Sequence, residues 1–150
     1  AYLNYADLSY TNLKNADLSY ANLKNSNLKN SDLRGVDYNH LTSFFPLCCP
    51  EYGSFIGWKK ARGCIVKLLI IDDSKRSSAM TRKCRCSKAK VLEITSNIGG
   101  KIESVASNWD ENFIYNVGEI VEVKDFDDDR WNECSKGIHF FITKREAELW

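Results

Sequence analysis

Ala1 to His40 reads AYLNY ADLSY TNLKN ADLSY ANLKN SNLKN SDLRG VDYNH, eight units of five residues without a slip. Aligned on the third residue, the units give the column Leu3, Leu8, Leu13, Leu18, Leu23, Leu28, Leu33 and Tyr38. The first column is small or β-branched: Ala1, Ala6, Thr11, Ala16, Ala21, Ser26, Ser31 and Val36. A period of five fits neither a helix nor a strand and points to a stacked repeat. The large and the small column face inward and the remaining positions face water. Asp or Asn fills most of the second column, and their side chains suit repeated turns by bonding nearby backbone. The chain is therefore expected to turn at every unit and to close a square coil every four units.

This pattern resembles the pentapeptide-repeat family. The resemblance implies a right-handed quadrilateral β-helix over residues 1–45, with the third-column residues Leu3 to Tyr38 as its core. Eight units give about two coils, roughly 10 Å of stack at the usual strand spacing. Tyr38 and Val36 depart from the column preferences, as if the last coil were closing. Two coils are too few to stand alone, and the chain begins in register at Ala1, so further coils upstream are expected. Well-known members of the family are long anionic rods that mimic DNA and bind type II topoisomerases. Here four Asp face Lys14, Lys24, Lys29 and Arg34, and that mechanism does not carry over. Tyr5, Tyr10 and Tyr20 share the fifth column. They read first as part of a solvated face and alternatively as a partner surface.

The whole chain of 150 residues carries a net charge of +1, which allows one or two small domains and demands neither an acidic nor a basic partner. The run Cys64 to Ile71 is too short and too interrupted to span a bilayer, and no leader is visible. Six cysteines, Cys48, Cys49, Cys64, Cys84, Cys86 and Cys134, are too few for a disulfide scaffold. A reducing, cytoplasmic setting is expected.

Residues 41–62 read as a transition, with 46–62 as the connector, and Phe44, Phe45 and Leu47 could plug the open coil end. Residues 63–150 read as a small, mainly antiparallel α/β (α+β) domain. Strands are expected over Cys64–Ile71, Arg82–Thr95, about Ile102–Ala106, on either side of Gly118, and over GIHFFIT. Thr143 and Glu146 form a capping box that opens a terminal helix. From about Gly53 to Trp150 the stretches GSFIGWKKARG, KCRCSKAKVLEI and VGEIVEVKDFDDDRWNECSKGIHFFITKREAE resemble an uncharacterised domain found beside pentapeptide repeats in phage and viral proteins. That resemblance implies no activity.

Charge is segregated in this domain. Lys59 to Lys90 holds eleven basic residues and Glu93 to Glu133 eleven acidic ones. They are expected to pair across strands. The alternative is an exposed basic face of Arg76, Arg82, Lys83, Arg85, Lys88 and Lys90 that binds nucleotide or nucleic acid. Asp125, Asp127 and Asp129 alternate like the start of a calcium loop, but Arg130 and Lys136 stand where the loop needs Gly and Glu. Cys84, Cys86, Cys134 and His139 have zinc-ligand chemistry at poor spacing and read first as packing residues. Cys134 with His139 is the one plausible nucleophile–base dyad; His40 reads as structural. GIHFFITKREAE looks like the strand–helix element beside the nicotinamide pocket of ADP-ribosyltransferases, which implies an enzyme alternative needing NAD. The leading expectation is a non-enzymatic interaction protein with a protein partner and no cofactor, self-associating through its exposed coil edge.

Overall fold

A computed structural model describes residues 1–39, 42, 47–79 and 81–150. The expected plug of Phe44 and Phe45, and the structural role of His40, lie outside the described residues. In the repeat stretch the chain meets itself every twenty residues. Tyr2, Asp7, Asn12 and Asp17 bridge in parallel to Asn22, Asn27, Asp32 and Asp37. Each unit closes a turn in which a first-column amide donates to the preceding third-column carbonyl, as from Ala21 to Leu18 at 3.0 Å. The fifth position carries positive φ at Tyr5, Tyr10, Asn15, Tyr20, Asn25, Asn30 and Gly35, as the third residue of a type II turn requires. The second-column side chain pins the turn: Oδ1 of Asp7, Asn12, Asp17, Asn22, Asn27 and Asp32 accepts the amide two residues on.

Leu18, Leu23, Leu28 and Leu33 are buried with Ala21 and Val36, and Leu3, Leu8 and Leu13 pack half-buried against them. Tyr38 is a correction to the expected core. It is 44% exposed and stands edge-on to Trp131, with ring centroids 6.1 Å apart. Its phenol suits water, and Trp131 packs against the leucine cluster instead.

The C-terminal domain is built on a sheet in the order β1 (Phe55–Ala61), β2 (Cys64–Ile70), β5 (Lys88–Thr95), β6 (Lys101–Ile102). β9 (Ile120–Glu122) also pairs with β5. A second sheet runs β10 (Ile138–Phe140), β4 (Cys84–Cys86), β3 (Arg76–Ser78), and β7 (Ser104–Ala106) pairs with β8 (Ile114–Asn116). All these pairs are antiparallel. Pairing begins at Phe55, inside the stretch expected to be a connector. Arg62 and Gly63, both at positive φ, form the two-residue hairpin loop between β1 and β2. β2 buries Cys64, Val66, Leu68 and Ile70 and turns the residues between them outward, the alternation of a strand with one core face. The long strand expected over Arg82–Thr95 is two strands in different sheets. They part at Ser87, whose amide and hydroxyl bond the carbonyl and amide of Lys75. Trp58 and Phe141 exchange backbone bonds of 2.8 and 2.7 Å and tie the two sheets together. The helix α1 (Lys144–Leu149) starts where the capping box places it, with the Glu146 amide donating to Thr143 Oγ1.

The loop between β9 and β10 meets the repeats. Its Asp129 Oδ2 accepts the Gly35 amide at 3.3 Å, and the Arg130 guanidinium lies over the Tyr38 ring. Arg85 holds the loop from inside. Only 2% exposed, it donates from Nη1 to the carbonyls of Lys136 (2.8 Å) and Asp127 (3.0 Å) and from Nη2 to that of Asp129 (3.0 Å). Its guanidinium also sits over the Phe126 ring.

Candidate functional site: a lysine-bearing cleft walled by aromatic rings

Period-two alternation in β1 puts Lys59 on the same face as Gly57 and Ala61, both buried. The lysine is thereby turned inward between two small residues. Its Nζ donates to Tyr115 Oη at 2.8 Å and lies 4.7 Å from the centre of that ring. On β10, Ile138 and Phe140 face the core, which leaves His139 on the reverse side. Lys59, Tyr115 and His139 line one cleft of about 890 Å³, which also takes in Lys83, Trp109 and Trp150. Its size suits a small molecule rather than a macromolecular groove.

The electrostatics of the cleft follow from burial. Removal from water pulls the Lys59 ammonium down to about 8, and the nearby Lys83 charge adds to this. Burial pushes the Tyr115 phenol up and the neighbouring Cys86 thiol up to about 12. Burial also takes His139 down to about 4, with Lys83, Lys59 and Arg85 adding to the effect. The imidazole is therefore neutral near pH 7. Its Nε2 lies 2.9 Å from the Ser135 carbonyl, which can only accept, so Nε2 carries the proton and Nδ1 keeps a lone pair. The Lys83 ammonium lies 4.7 Å from the centre of the Trp150 ring and 3.6 Å from Cys134 Sγ.

The expected basic face does not assemble. Arg76 is turned inward onto the carbonyls of Pro50, Gly53, Ile71, Asp72 and Ser74. Arg85 holds the β9–β10 loop, and Lys83 is in the cleft. Arg82 pairs with Glu146 at 3.0 Å and Lys88 with Asp73 at 2.7 Å; Lys90 is exposed. The residues scatter because successive strand positions face opposite ways and because guanidinium groups satisfy carbonyls that the sheets leave open. Of the cross-charge pairing expected between the two segregated stretches, Lys75–Asp128 is the one ion pair among the described residues that joins them; Lys88–Asp73 and Lys101–Glu93 pair within a stretch, and each is worth little at the surface.

The zinc set does not converge either. Cys84 and Cys86 are buried in the domain core and Cys134 is exposed. The hydrogen bond with Cys49, and then burial, hold the Cys84 thiol up and protonated. Among the described residues no three His, Cys, Asp or Glu side chains gather into a metal-holding group. The aspartates serve the loop itself: Asp125 pairs with Lys136, and Asp127 accepts from the Asp129 amide and from Asn132. Cys134 and His139 both line the cleft; the imidazole Nε2 bonds the Ser135 carbonyl and the thiol meets the Lys83 ammonium. Lys59, Tyr115, Trp109 and Trp150 were not singled out from sequence. The signal that could have found Lys59 is its place in Gly57-Trp-Lys-Lys-Ala61, where the small residues mark the inward face.

Eight copies of the pentapeptide repeat match over residues 1–35, in agreement with the five-residue turns. Among curated proteins and among solved structures nothing matches. Among the described residues no helix is long and apolar enough to cross a membrane. The model of a family of unknown function, DUF5758, matches residues 45–147, well over half of the chain and every strand of its C-terminal domain, and the chain belongs to that family.

Proposed function

We propose that this chain is a non-enzymatic interaction protein. In this reading residues 1–39 form two coils of a right-handed quadrilateral β-helix, and the C-terminal domain closes one end through Trp131. A protein partner docks on the tyrosines of the repeat body. One observation carries the reading. Tyr5, Tyr10 and Tyr20 are 71%, 75% and 68% exposed at fifth-column positions whose φ is 62°, 58° and 61°. A tyrosine in left-handed backbone is strained where Asn or Gly would sit with ease, and twenty residues on from Tyr5 and Tyr10 the equivalent positions are Asn25 and Asn30. Strained, water-exposed aromatic residues are the kind kept for recognition rather than for the fold. Tyr2, 92% exposed, adds a further ring to the strand between these corners.

The test compares the wild-type chain with a variant carrying Tyr2→Ser, Tyr5→Asn, Tyr10→Asn and Tyr20→Asn. Both are tagged at the C-terminus and used to capture binding proteins from the native host. The expected result is a partner retained by the wild type and lost by an equally folded variant. An identical set of captured proteins would overturn the reading.

A further inference from the structure

We propose that the cleft between β1, β8 and β10 binds a small aromatic anion, with its charged group held by Lys59 and Lys83 and its ring laid against Trp150. The charge of the cleft is the first support. Five lysines line it against three carboxylates, and one of those, Asp125, is already paired with Lys136. Neither Lys59 nor Lys83 has a carboxylate partner among the described residues. The Lys59 tip has the Tyr115 hydroxyl and ring, and the Lys83 tip has a thiol and the Trp150 ring. A lysine drawn out of water without a counter-ion is unfavourable unless a ligand supplies the missing charge.

The walls are the second support. Trp109 and Trp150 are 93% and 66% exposed at the cleft, and Phe113 stacks edge-on to Tyr115 at 5.4 Å. Large rings beside lysines favour a ligand that is both flat and anionic. The free Nδ1 of His139 adds one acceptor, which a ring N–H or a hydroxyl could meet. The downward pull on the Lys59 ammonium agrees with a cation awaiting an anion. Phosphate and carboxylate share this chemistry, and the test separates them.

The full chain is titrated with adenosine 5′-monophosphate and with 1-naphthoate, read by tryptophan fluorescence and calorimetry. Adenosine, 1-naphthalenemethanol and inorganic phosphate serve as controls. At least one ring-bearing anion should bind with Kd below about 1 mM, and its uncharged counterpart and phosphate alone should bind at least about tenfold more weakly. Binding of the nucleotide assigns the charged group as a phosphate; binding of the naphthoate assigns it as a carboxylate. Lys59→Met and Lys83→Met should each weaken binding about tenfold without lowering Tm, and Trp150→Ala, which also removes the ring packed on Phe141, should weaken it as well. Absence of binding by both anions at about 10 mM, equal binding of the uncharged controls, or unchanged affinity in the Lys59→Met/Lys83→Met double variant would overturn the proposal.

Discussion

Replace Arg85 by methionine and the chain should lose the loop that joins its two parts. The side chain is 2% exposed and bridges three carbonyls, those of Asp127, Asp129 and Lys136, at 2.8–3.0 Å. A hydrogen bond from a charged donor contributes roughly 1.5–3 kcal/mol, and each buried carbonyl left open costs about 1–3 kcal/mol. The desolvation of the guanidinium offsets part of this, so the expected loss is about 3–5 kcal/mol. For a chain of this length that lowers Tm by about 10 °C. Arg85→Lys keeps the charge but not the fork, and a point donor cannot serve three carbonyls at once, so it should lose about 2 kcal/mol. Urea unfolding measures the energies. Hydrogen exchange locates them: the amides of Asp127, Trp131 and Gly35, which bond Lys136, Asp129 and Asp129 respectively, should exchange faster, and those of β2 much less so. If Arg85 were instead a surface cation that binds nucleic acid, the methionine variant would unfold within about 0.5 kcal/mol of wild type with an unchanged loop. That result would refute the clamp.

Three further outcomes are expected. His139 is taken down to about 4 by burial, aided by Lys83, Lys59 and Arg85, so the unfolded chain binds a proton between pH 6.5 and 4 that the folded chain refuses; stability is full above pH 6.5 and falls toward pH 4 by roughly 2 kcal/mol. His139→Asn should flatten that part of a pH series of urea unfolding curves. A methyl group on Gly57 would lie 2.7 Å from Phe140 Cδ2 and 3.2 Å from Ile70 Cδ1. Gly57→Ala should therefore destabilise by about 1–3 kcal/mol through overpacking, seen as a lower urea midpoint at unchanged slope. Of the six cysteines Cys134 alone is exposed, Cys48 is half-buried, and Cys49, Cys64, Cys84 and Cys86 are buried; mass spectrometry after brief alkylation should find Cys134 modified first.

The repeat stretch was legible because each column has one physical job, and a five-residue period leaves no helix or strand in competition. β2 was legible from its apolar run and α1 from the Thr143–Glu146 box. The strand break at Ser87 was not, since it depends on Lys75, a neighbour far along the chain. Arg85 and Arg76 carried only their charge in the sequence, and charge suggested a surface; their burial depends on carbonyls contributed by distant loops. Tyr38 followed the column by register but not by chemistry, and Trp131, more than ninety residues later, packs on the same core. Lys59 was hidden for the related reason that a lysine in a strand reads as outward unless the small residues flanking it are weighed.

The unfolding free energies of Tyr5→Asn, Tyr10→Asn and Tyr20→Asn, each measured singly, test the proposed recognition role most directly. The three tyrosines are exposed at positive φ, and asparagine accepts that backbone more readily. Each substitution should leave the chain as stable as wild type or more stable, by up to about 1 kcal/mol: residues kept despite strain rather than for the fold. A loss of about 1 kcal/mol or more at each site would show that the tyrosines hold the repeat body together, and would contradict their assignment to a partner.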